Sequence, residues 1–114
     1  REERRLAGEL GPQNLLVAPH HGSRTSSGRA LARTTRPVFV VIPAGLPSPF
    51  RHPHPEVVRR WQAGGAAVQI TGRDGAVHWV STTPARLHCE REGRTRWWHW
   101  RPAAGPRCGV RAGP

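Results

Sequence analysis

Apolar residues fall in short runs that alternate with polar and Pro/Gly-rich stretches. Asn14 to Ala18, Val38 to Ile42 and Ala67 to Thr71 are of strand length, rich in Leu, Val and Ile, and bounded by Gly, Pro or charged residues, which predicts buried strands. Residues 1 to 10 place Leu6 and Leu10 one helical turn apart, and Gly11-Pro12 stops that helix. A second helix is predicted from Gly28 to Thr35, with Ser26 or Ser27 as its N-cap. The stretch from Pro43 to Pro53 is too proline-rich for regular structure, whereas Pro55 suits the first turn of a third helix. That helix carries Val57, Val58 and Trp61 and ends at Gly64-Gly65. Ala76 to Ser81 is a further strand, and the Asp-Gly pair within Gly72-Arg73-Asp74-Gly75 predicts a tight hairpin back from Ala67 to Thr71. Leu87 to Arg91 and Thr95 to Trp100 flank Glu92-Gly93-Arg94 and read as another hairpin, while residues 102 to 114 are expected to be disordered. With no internal repeat, the order α-β-α-β-α-β-β gives an α/β chain.

The first strand empties into Pro19-His20-His21-Gly22-Ser23-Arg24-Thr25-Ser26-Ser27. A loop at a strand end is a usual place for chemistry, because the strand fixes its start while the side chains reach a cleft. Imidazole is the commonest ligand for zinc-like metals. Ordinary surface histidines would also satisfy this pattern. Gly22 lets the backbone turn closely, and Ser23, Thr25 and Ser26 have hydroxyls suited either to a phosphate or to capping the next helix. A second pair, His52 and His54, flanks Pro53; both can point to one side of an extended segment, or His54 can cap the third helix while His52 fills a turn. Arg59, Arg60, Trp97, Trp98 and Trp100 suit stacking of single-stranded bases, although alternation on a strand would turn some tryptophans into the core.

The formal charge is +11 and every cationic side chain is arginine. Such a chain attracts polyanions irrespective of sequence, but an Arg, Ala, Gly and Pro bias without lysine is also what a GC-rich gene encodes. Cys89 and Cys108 are too few and too far apart for a zinc ribbon, leaving two thiols or one disulfide outside the cytoplasm. No run of about 18 apolar residues is present to span a membrane. The opening Arg1-Glu2-Glu3-Arg4-Arg5-Leu6 reads as the middle of a charged helix, so the chain is expected to be a piece of a longer reading frame.

The ordered series PHHGSRTSS, Pro37 to Ile42, Arg51-His52-Pro53-His54-Pro55-Glu56-Val57-Val58, and Thr71-Gly72-Arg73-Asp74-Gly75-Ala76-Val77 resembles the C-terminal part of the metallo-β-lactamase-like domain of ComEC-type DNA-internalisation proteins. Two departures stand out: Pro43 to Phe50 replaces a small-residue, Asn-containing loop, and the acid of the "TD" step is displaced to Asp74. The resemblance implies part of an αββα sandwich, its C-terminal half, over residues 1–82, a β-hairpin extension over 83–101 and a tail over 102–114. It implies that His20 or His21 is a metal ligand and catalytic residue, with Ser23, Thr25, His52 and His54 facing substrate. It also implies a parent in the inner membrane with this domain soluble on the extracytoplasmic side, hydrolysing DNA, single-stranded in particular, with zinc or manganese. The upstream HxHxDH-like ligands are absent from this sequence, so the fragment alone is expected to be inactive, to retain no metal, to make no membrane contact itself and to depend on the rest of its parent. Two other readings stay open: another hydrolase of the same fold, and a non-enzymatic basic module that binds nucleic acid.

Overall fold

The computed structural model describes residues 1–45, 51–93 and 108–110. Helix α1 (Glu2–Glu9) leads to β1 (Leu15–Val17), α2 (Arg29–Thr35), β2 (Phe39–Ile42), α3 (Pro55–Ala63) and β3 (Ala67–Ile70). The three strands form a parallel sheet in the order β1-β2-β3, with Leu16 opposite Val40 and Val40 opposite Val68. The crossovers from β1 to β2 and from β2 to β3 carry α2 and α3, which touch each other on one face of the sheet. Val40 and Ile42 of β2, Val68 and Ile70 of β3, Leu31 of α2, and Val57 and Trp61 of α3 build the core on that face. Val57 and Trp61 lie four residues apart and are both fully buried, the helical stripe anticipated from the sequence.

The opposite face is thinner. Leu15 and Phe39 are only partly buried there, Val41 likewise, and Val17 is 59% exposed. At the β3 end this face is covered by a second, antiparallel sheet of β4 (Val77–Val80) and β5 (Arg86–Cys89), through Gln69 of β3, whose Oε1 lies 3.2 Å from Cys89 Sγ.

Two local expectations are overturned. Neither serine caps α2: Gly28 holds the cap position, Ser26 Oγ turns back to the carbonyls of Pro19 and Ser23, and the buried Ser27 hydroxyl has no partner among the described residues. Gly72 to Gly75 is not a hairpin, because Thr71–Asp74 forms a helical turn, α4, that directs β4 away from β3. The Asp74 carboxylate accepts from the Ile70 N–H, while the Gly72 N–H donates to Ala44 O, so the turn is fastened to the exit of β2. The Leu87 to Arg91 run is the described arm of the second hairpin expected from the sequence. Its first part is β5, paired with β4, and Glu90–Gly93 is a further helical turn, α5. Thr95 to Trp100 and most of the expected tail lie outside the described residues. Cys108 is described and forms a disulfide with Cys89, closing one of the two alternatives for the cysteines.

Candidate functional site at the carboxyl ends of the parallel strands

Parallel strands send their carboxyl ends to one edge, and in open α/β sheets that edge is where ligands bind. Here it gathers the loops that follow β1, β2 and β3. The Thr71 hydroxyl after β3 accepts from the Ala44 N–H after β2 at 3.1 Å. The His54 N–H donates to Gly22 O at 2.9 Å, joining the loop before α3 to the loop after β1. A Cβ at Gly22 would lie 2.8 Å from Pro53 Cβ, and Gly22 has φ +74°, so both backbone angle and space require glycine. The two histidine-bearing loops are thus packed against each other at one edge.

The first loop is strained where the histidines sit. His20 (φ 54°, ψ 37°) and His21 (φ 55°, ψ 28°) are both left-handed, and with Gly22 they make one left-handed turn. Each non-glycine residue in that region costs of order 1–2 kcal/mol, and such conformations concentrate at functional sites. The turn sends the neighbouring rings apart. His20 enters an open cleft of about 790 Å³, bordered also by Thr25, Arg29 and residues of α1. His21 Nδ1 lies 2.6 Å from Pro43 O. Because a carbonyl only accepts, Nδ1 carries the proton in this contact and the Nε2 lone pair is left outward. A backbone carbonyl holding one ring nitrogen is the arrangement that orients a metal-ligating histidine.

The other implicated residues divide clearly. Ser23 is buried, and its Oγ accepts from the Thr25 N–H and meets Thr25 Oγ1 at 3.0 Å, which rigidifies the loop. Thr25 is exposed on the cleft beside His20. His54 caps α3, accepting from the Glu56 N–H through Nδ1 at 3.2 Å, one of the two roles open to it from sequence. His52 is half-buried in the same loop. Asp74 is engaged by the Arg73 guanidinium at 2.8 Å and by the Ile70 N–H, so it serves the fold. Trp97, Trp98 and Trp100 lie outside the described residues. Arg60 is anchored by Nη1 to Ser27 O at 2.7 Å, while Arg59 is exposed.

One residue of this region escapes sequence reasoning. Glu3 of α1 accepts from the N–H groups of Ser27 and Gly28 at 2.8 and 2.9 Å. It supplies the anionic cap that the serines do not, from 24 and 25 positions away, beyond the reach of any local capping signature.

Among the described residues, no three His, Cys, Asp or Glu side chains gather as a metal centre would need. The donor set fits one outward imidazole offered to a centre whose other ligands come from elsewhere. It does not fit a complete site.

Comparison with known proteins points the same way as the motif series. The chain is 32% identical to Recombination protein 2 of Haemophilus influenzae over 100 residues, covering 88% of this chain and 12% of that protein. It is 32% identical to Competence protein ComA of Neisseria gonorrhoeae over 78 residues, 66% of this chain and 11% of that one. It is 29% identical to ComE operon protein 3 of Bacillus subtilis over 66 residues, 58% of this chain and 8% of that one. Its relatives are competence proteins of the ComEC type. The chain spans about one eighth or less of the length of these curated relatives. No family profile matches, and no solved structure matches. Among the described residues no helix is long and apolar enough to cross a membrane.

Proposed function

We infer that this chain is the C-terminal edge of a metal-dependent hydrolase domain in a competence protein, acting on DNA during uptake. The observation that carries the reading is the His21 ring, held through Nδ1 by Pro43 O in a strained turn at the carboxyl edge of the sheet. That combination is hard to explain by packing, since His21 is exposed and a surface histidine gains nothing from left-handed backbone. His21 is the ligand in this reading. His20 and Thr25, on the neighbouring cleft, face the substrate, and His52 and Ser23 support the two loops.

A zinc or manganese ion held by His21 together with ligands from elsewhere in the parent would supply water activation and stabilisation of the leaving oxygen. The residues of this chain contribute one oriented lone pair, a rigid loop, and a cleft in which Arg29, His20 and Thr25 can meet a phosphodiester, beside Glu2 and Glu3 of α1. The thin face of the sheet supports the architecture: partly buried Leu15, Phe39 and Val41, with exposed Val17, are what the second sheet of an αββα sandwich would cover. The Cys89–Cys108 disulfide favours an oxidising compartment, in keeping with an extracytoplasmic domain on a membrane-embedded parent.

The test is His21→Ala in the full-length competence protein, with metal content and DNA cleavage measured together. The expected result is a loss of bound metal and a fall in cleavage of at least about 100-fold, with the thermal midpoint preserved. Cleavage at the wild-type rate with metal retained would overturn the assignment.

A further inference from the structure

Arg29, Arg33 and Arg36 of the α2 segment and Arg60 of α3 converge on a groove of about 410 Å³ between the two helices, floored by Ala32 and Ala63. No acidic side chain lines it. Arg29, Arg33 and Arg36 are exposed, and among the described residues their side chains have no hydrogen bond or ion pair. Arg60 is fixed by its bond to Ser27 O, so one guanidinium of the four is already oriented.

Helix electrostatics account for only part of this gathering. Arg33 and Arg60 lie in the last turns of α2 and α3, where a cation complements the terminal carbonyls. Arg29 is the first residue of α2, where the dipole disfavours a cation, and it faces the same groove. Like charges held together without a carboxylate repel one another unless an anion joins them. Arg29 also lines the cleft that holds His20 and Thr25, so the groove and that cleft share a wall. The rise of a helix puts Arg29 and Arg33 about 6 Å apart along the axis, so the guanidinium groups form a row rather than a single point charge.

We propose that this α2–α3 groove binds the phosphodiester backbone of a single nucleic-acid strand and leads it past Arg29 into the His20 cleft. The inference deepens the hydrolase reading by giving its substrate a track, yet the binding itself needs no metal. An anionic membrane is the poorer occupant. A membrane-surface site combines cations with apolar side chains for insertion. Among the described residues the exposed large apolar side chains, Leu6, Leu10, Val17, Val80 and Val110, all lie off the groove.

The experiment replaces Arg29, Arg33 and Arg36 together by Gln in the 114-residue chain and follows binding of a labelled mixed-sequence single-stranded 20-mer between about 50 and 200 mM salt. Each lost phosphate contact removes about 0.7 from the slope of log affinity against log salt, so the triple variant should lose about 2 from that slope. Affinity at 100 mM salt should fall at least tenfold. Arg86→Gln, on the exposed hairpin, should change affinity less than twofold, and all binding is measured without added metal, so the outcome does not depend on the hydrolase reading. If the triple variant loses its folded circular-dichroism spectrum, Arg33→Gln alone is measured, with a slope change of about 0.7. Four results overturn the proposal: no binding of the 20-mer by the wild-type chain at 50 mM salt; an unchanged slope; an equal loss with Arg86→Gln; or loss of binding to phosphatidylserine vesicles with oligonucleotide binding intact.

Discussion

The parallel sheet with its three helices and the β4–β5 hairpin are stabilised by different physics. In the first, fully buried Val40, Ile42, Val57 and Trp61 take apolar surface out of water, and the backbone needs little outside help. In the hairpin, His78, Val80, Arg86 and His88 face solvent, and only Cys89 is fully buried. What holds it is a disulfide to Cys108, the Arg91 guanidinium donating to Gly72 O, and a polar cluster in which His78 Nε2 meets Glu90 Oε1 at 3.1 Å. An isolated two-stranded hairpin is marginal in water, so these ties are its stability. The candidate site and the arginine groove both belong to the first region. Chemistry requiring fixed angles stands on the part that burial makes rigid.

That contrast predicts unequal responses to damage. Trp61→Ala removes the largest fully buried side chain and should destabilise the parallel unit by about 3–5 kcal/mol, measured by urea unfolding. A loss below about 1 kcal/mol would mean that the helices are not held by this core. Reduction of Cys89–Cys108, or the Cys108→Ser variant, opens a loop of sequence separation 19 and should weaken the hairpin by about 3 kcal/mol. Hydrogen exchange should then quicken in β4 and β5 while β2 and β3 keep their protection. Equal quickening in both sheets would erase the distinction between the regions.

The two regions also differ in how far the sequence discloses them. Helices α1, α2 and α3 and strands β1, β2 and β3 all lie where apolar periodicity and Gly or Pro punctuation put them, within a residue or two at their ends. The Asp-Gly signal near residue 74 did mark a change of direction, but the turn was decided by contacts from afar: Gly72 to Ala44 O, and Arg91 to Gly72 O. Such pairings have no local signature. The site follows the same rule. His20 and His21 at a strand end were legible from the residues, whereas the joining of the His52 to His54 loop to them, through the His54 N–H and Gly22 O, has no local signature. The Pro43 carbonyl that distinguishes His21 from its neighbour is 22 residues away and becomes visible only in three dimensions.

Within the rigid region, Gly22→Ala tests the joint between the two histidine loops. It combines a left-handed backbone with a Cβ 2.8 Å from Pro53 Cβ, and should cost roughly 1–3 kcal/mol. The expected sign of displacement is loss of protection at the His54 N–H, which donates to Gly22 O, with β2 unaffected. An unchanged His54 amide would show that the loops are held together by something other than this close approach.

The smallest effect concerns Glu3, which joins α1 to the start of α2. Its two carboxylate oxygens each accept a backbone N–H, from Ser27 and from Gly28. Glu3→Gln keeps the size and one acceptor but replaces the other with an NH₂ that faces a donor, so one contact is lost and the anion at the helix start disappears. A lost cap of this kind is worth about 1 kcal/mol, and partial exposure to solvent keeps the figure low. The consequence should be local: faster exchange at the Ser27 and Gly28 amides, and loosening of the cleft wall formed by α1 and α2 around His20. Glu2→Gln, one position away on the exposed surface, supplies the control and should shift stability by less than about 0.5 kcal/mol. If the two variants behave alike, Glu3 is a surface charge like its neighbour, and the first turn of α2 draws its order from the buried sheet alone.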